Sequence, residues 1–128
     1  MIEKKKVYQC AKCGNIVESL WNGQPDISCC DEVMKELTAN TTDAAVEKHV
    51  PVIERNGTTV KVKVGSAPHP MTPAHYILFI EVLHGDHVYR CDLKEGTTVA
   101  EATFLIPDDG QPLVAREFCN LHGFWATK

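Results

Sequence analysis

Cysteine and histidine carry the chemistry of this sequence. Cys10 and Cys13 are separated by two residues, the spacing that lets both sulfurs grip one tetrahedral metal. Cys29 and Cys30 follow as an adjacent pair. Neighbouring side chains tend to point apart, so a metal held by that second pair is expected to be distorted from an ideal tetrahedron. Four soft ligands of this kind suit a zinc knot that only folds its segment, or a mononuclear iron centre. Disulfides are the third reading, and a reducing compartment would disfavour them. Gly14 would supply a turn bringing backbone N–H groups toward the sulfurs, where hydrogen bonds tune a metal's potential.

A second group lies further along. All six histidines, His49, His69, His75, His84, His87 and His122, follow residue 48. His49 sits in Glu47-Lys48-His49-Val50-Pro51, and His69 stands between Pro68 and Pro70, which restrict the backbone on both sides and aim the imidazole at little entropic cost. Cys119 and His122, three apart before Gly123, could bite one metal from a single turn. Each histidine alone reads as an ordinary polar residue, but His49, His69, His75, Cys119 and His122 all fall at turns or strand ends, as ligands do. His84 and His87 flank a hairpin turn and are expected at the surface. Cys91 falls inside a predicted strand, as a small buried apolar residue.

The elements that must position these residues are short. Residues 1–37 are too few for a self-sufficient core and need a metal, disulfides or a partner. We place a boundary near residue 38, giving domains 1–38 and 39–128. Residues 38–48 are small and polar, as in a linker or short helical turn. Beyond them Val-Pro-Val-Ile-Glu-Arg, the Asn56-Gly57 turn and the alternation of Val60, Val62 and Val64 with Thr59, Lys61 and Lys63 predict a hairpin. Residues 76–83 form a nearly continuous apolar run suited to a central strand. Segments 87–93, 99–106 and 113–118 complete six or seven strands, favouring a β-sandwich.

Composition narrows the function. With 44% hydrophobic and 23% charged residues in 128, the chain has the make-up of a globular domain, and no apolar run is long enough to span a membrane. Thirteen basic against 17 acidic residues give a net charge of −4, which argues against nucleic acid as a partner. The charged opening Met1-Ile2-Glu3-Lys4-Lys5-Lys6 is no secretory signal, so a cytoplasmic location is expected.

Taken together, Cys10-x-x-Cys13 with Cys29-Cys30, then Glu47-Lys48-His49, His69-Pro-Met with His75, and Cys119-Asn-x-His122-Gly resemble desulfoferrodoxin, the two-iron class of superoxide reductase, over essentially the whole chain. The resemblance implies a mainly β protein: a small desulforedoxin- or rubredoxin-like domain with one iron on four cysteines, then an immunoglobulin-like β-sandwich with a second iron. It implies His49, His69, His75 and His122 as equatorial ligands and Cys119 as the axial thiolate. Glu47, a hard carboxylate, would close the sixth position in the oxidised state. Lys48 beside it would draw anionic superoxide toward an acidic protein and help deliver a proton. The implied partners are superoxide, a rubredoxin-like electron donor and a second copy of the chain in a homodimer.

Two other readings compete. One is a non-catalytic electron carrier, whose iron would be coordinatively closed. The other is a zinc-stabilised binding module with incidental histidines.

Overall fold

The computed structural model describes residues 4–23, 25–42 and 48–127. Every regular element among them is a strand, and no helix is long and apolar enough to cross a membrane. The chain divides into two compact units, Met1–Thr38 and Ala39–Lys128.

The first unit is built from strands of two or three residues. β1 (Val7–Gln9) lies between β2 (Ile16–Glu18) and β5 (Lys35–Glu36), and β3 (Ser28–Cys29) pairs with β4 (Glu32–Val33) as a separate ribbon. Its core is correspondingly small. Tyr8, Cys10 and Met34 are buried, with Val17, Ile27 and Cys29 packed against them.

The second unit is a sandwich. One sheet runs β10 (Glu101–Leu105), β7 (Thr59–Val64), β6 (Pro51–Asn56), and the other runs β12 (Gly123–Ala126), β11 (Val114–Cys119), β8 (Ile77–His84), β9 (His87–Asp92). All pairs within these sheets are antiparallel. Three strands facing four is the layering expected of an immunoglobulin-like sandwich. In β7 the alternation works as the sequence predicts: Val60, Val62 and Val64 are buried, while Lys61 and Lys63 reach outward to Glu101 and Glu54. The valines meet Ile80 and Val82 of β8 and Ala115 and Cys119 of β11 in one core. Burying each such aliphatic side chain contributes about 1.5–3 kcal/mol.

A register shift lies between Phe118 and Cys119, where Phe118 faces Phe79 but Cys119 faces Ile77. Leu78 is the extra residue. It puts Ile77 on the core face despite its odd spacing from Ile80 and Val82, and sets Cys119 opposite it at the sandwich end.

Several expectations need correction. The sequence reading left out β12, only four residues long and opened by a glycine. His84 is not a surface residue: at 4% exposure it extends the inward face of Ile80 and Val82, and its Nε2 lies 2.9 Å from Asp109 Oδ1. His87, across the turn, is exposed as expected. Cys91 is half-buried rather than buried, because β9 is an edge strand, although it does pack against the core. In the expected linker, Asn40 lies opposite Trp125, donating its N–H to the Phe124 carbonyl and accepting from the Ala126 N–H, both at 2.9 Å. Residues 43–47, and with them Glu47, lie outside the described residues.

Candidate metal centres

The four N-terminal sulfurs come together around two turns. After β1, Cys10 and Cys13 bracket a loop closed by Gly14, whose N–H donates to the Cys10 carbonyl at 3.0 Å from a left-handed φ of 82°. The Cys13 N–H points at Cys10 Sγ, 3.4 Å away, and Asn15 Nδ2 at Cys29 Sγ, 3.7 Å away. Between β3 and β4, Cys30 and Asp31 take φ values of 51° and 61°. Positive φ at both central residues is the type I′ hairpin turn, usually Asn-Gly. This is how adjacent cysteines converge: the left-handed step swings Cys30 round so that its sulfur lies 3.9 Å from that of Cys29.

The arrangement fits a tetrahedral metal. Sulfurs on such an ion with bonds of about 2.3 Å lie about 3.8 Å apart. The Cys13–Cys29 and Cys29–Cys30 separations are 3.6 and 3.9 Å, close to that value. Charge points the same way. The Cys13 backbone N–H pulls the Cys10 thiol down to about 6, whereas hydrogen bonding to Cys13 and the other sulfurs pushes Cys30 up to about 12. Cys10 ionises readily while Cys29 and Cys30 resist, a conflict that a cation among them resolves.

The second set converges at one end of the sandwich. His49 precedes β6, His69 and His75 lie between β7 and β8, Cys119 ends β11, and His122 lies in the turn to β12. One donor atom from each falls within 4.8 Å of all the others. His69 Nδ1 lies 2.7 Å from the Pro70 carbonyl oxygen, to which it donates, leaving the Nε2 lone pair to face His49 Nε2 at 3.0 Å. Adjacent ligands at right angles on a metal with bonds of about 2.1 Å stand about 3.0 Å apart, and tetrahedral ones about 3.4 Å. At 3.0 Å the two imidazole nitrogens are close enough to share one metal. Cys119, His49 and His69 are buried, while His122 is exposed and Lys48 half-exposed, so the set reaches the surface at His122.

Two positioning residues escaped the sequence reading. Trp125 stacks on His49 with ring centroids 4.8 Å apart and donates from Nε1 to the His122 carbonyl at 3.1 Å. Asn120 straps the two loops together: its Oδ1 accepts from the Tyr76 N–H at 2.9 Å and its Nδ2 donates to the Ala74 carbonyl at 3.0 Å. The only available signal for either was proximity in sequence to Cys119 and His122.

Fold and donor sets define a class: a β protein with a four-thiolate knot and, on its sandwich, a separate imidazole–thiolate centre. The chain belongs to the desulfoferrodoxin family. The family described as Desulfoferrodoxin matches residues 41–128, and that described as Desulfoferrodoxin, N-terminal domain matches residues 2–37. The chain is 50% identical over 128 residues to desulfoferrodoxin of Desulfarculus baarsii, covering 100% of this chain and 99% of that protein. It is 36% identical over 111 residues to superoxide reductase of Pyrococcus horikoshii, covering 74% and 96% respectively. The crystal structure of superoxide reductase from Treponema pallidum superposes with a TM-score of 0.78 at 33% identity, covering 96% of this chain and 97% of that one.

Proposed function

We propose that the chain is a superoxide reductase, carrying out O2•− + e− + 2H+ → H2O2 at an iron held by His49, His69, His75, His122 and Cys119. The observation that carries this reading is the convergence of four imidazoles and one thiol within 4.8 Å, buried at Cys119 and exposed at His122. Five donors leave a sixth position, which an electron carrier would keep closed. Iron there supplies the single electron. The residues do the remaining work. His49, His69, His75, His122 and Cys119 would hold the ion, and the Lys48 ammonium, next in sequence to His49, attracts the anion and orders a water that delivers a proton to the reduced oxygen. Glu47 is assigned the closing of the site after turnover.

The N-terminal domain, 1–38, holds a second iron on Cys10, Cys13, Cys29 and Cys30, and 39–128 is the catalytic domain. A rubredoxin-like protein re-reduces the ferric site, and the enzyme works as a cytoplasmic homodimer.

The test is metal analysis and visible spectroscopy of anaerobically purified protein, then mixing of the reduced form with superoxide. Two irons per chain and stoichiometric peroxide are expected; zinc, or iron inert to superoxide, would overturn the reading. Lys48→Ala should slow the reaction about 10-fold and flatten its salt dependence. An unaltered rate and salt dependence would remove Lys48 from the mechanism.

A further inference from the structure

The segment carrying Lys48 and His49 is seated against Gly65. This glycine is buried directly after β7, with a left-handed φ of 78°. A β-carbon there would lie 2.8 Å from the Lys48 carbonyl carbon and 2.9 Å from Lys48 Cβ, and closer still to the carbonyl oxygen. Heavy atoms need about 3.5 Å or more, so a methyl group would drive the Lys48 backbone away by roughly 1 Å.

Retreat on the glycine side is blocked. Val64, the preceding residue, pairs with Pro51 in β6, and its N–H donates to the Ala100 carbonyl at 3.0 Å. Pro51, two residues after His49, is held by that same pairing, so the strain is concentrated in Lys48, His49 and Gly65 between these anchors. Gly65 also starts the loop Ser66-Ala67-Pro68 that delivers His69. The close backbone contact thus joins the two segments whose imidazoles stand 3.0 Å apart at Nε2.

We infer that Gly65 is a positioning residue of the histidine–cysteine centre: its missing side chain sets the spacing of His49 and His69 and fixes the base of Lys48. The catalytic part of this inference rests on the superoxide reductase reading, whereas the part concerning metal retention does not.

Gly57 provides the control. It too has a left-handed φ, 62°, but a β-carbon there would meet nothing within 4 Å. Gly65→Ala and Gly57→Ala share the backbone penalty, and only the first adds a collision. In the iron-loaded full chain, Gly65→Ala should speed EDTA-driven loss of ferrous iron from the histidine–cysteine centre by about 10- to 100-fold. It should also slow the reaction with superoxide by about 10-fold or more. Gly57→Ala should change neither while lowering the melting temperature. If Gly65→Ala does not fold, Gly65→Asn against Gly57→Asn makes the same comparison, because asparagine tolerates the left-handed region yet carries the same β-carbon. Iron loss and reaction rate equal to those of the matched Gly57 variant would overturn the inference. Wild-type protein that binds iron but leaves superoxide untouched would instead defeat the functional reading, and the iron-loss comparison would still decide the role of Gly65.

Discussion

In the N-terminal unit two of the four metal donors belong to the apolar core, whereas in the sandwich one of the five does. Cys10 and Cys29 pack with Tyr8 and Met34, and the strands around them are two or three residues long. The sandwich has strands of four to eight residues and a continuous core of valine, isoleucine and alanine, to which the second centre contributes only Cys119. Its four histidines sit on loops and turns at one end. A metal in the first unit would help hold the fold together, with Cys10, Cys13, Cys29 and Cys30 as its four ligands. The second centre rests on a fold that has other support, so it can keep a face open for chemistry.

Metal removal should separate the two units most sharply. Stripping the protein, or replacing Cys10 and Cys13 by serine, should unfold residues 4–37, because metal binding in so small a unit supplies on the order of 10 kcal/mol of its folding free energy. Residues 48–127 should stay folded. Amide hydrogen exchange reads both regions at once; protection retained in the first unit without metal would show that the comparison is wrong.

The sandwich should be broken instead from within its own packing. Arg116 donates from Nε and Nη2 to Glu81 Oε1 at 3.0 and 2.7 Å, with the pair almost fully buried. Glu81→Ala leaves a guanidinium buried without its carboxylate, at an expected cost of about 3–5 kcal/mol. Chemical denaturation of the metal-loaded protein should show that loss in the sandwich transition, and replacing both residues by leucine should recover most of it. An unchanged midpoint for Glu81→Ala would mean that the pair is not what it looks like.

The same contrast explains what was legible in the sequence. Donor types and spacings were readable because a metal restricts chemistry far more than a core does, and Val60, Val62 and Val64 were readable because a half-buried strand imposes a period of two. Hidden features depended on a partner distant in sequence or on backbone conformation. The I′ turn at Cys30 and Asp31 carries neither asparagine nor glycine, so nothing announced that adjacent cysteines could converge. Asn120 matters through Ala74 and Tyr76, over 40 positions away. His84 looked like a turn residue because its burial depends on Asp109, 25 positions on.

That last pair gives the smallest expected effect and a test of the sandwich far from its metal end. The hydrogen bond from His84, aided by the Gln111 N–H, holds the Asp109 carboxyl below its ordinary range. A carboxyl depressed in the folded state adds stability at every pH above its unfolded value, near 3.9, and that stability disappears as pH falls through the folded value. Asp109 is two-fifths exposed, so solvent screens the interaction and its contribution is small. Asp109→Asn should therefore lower the denaturation midpoint at pH 7, and the gap from wild type should close as pH falls below the ordinary carboxylate value, near 3.9. A gap that persisted undiminished in strong acid would mean that the carboxylate form of Asp109 contributes nothing to stability there.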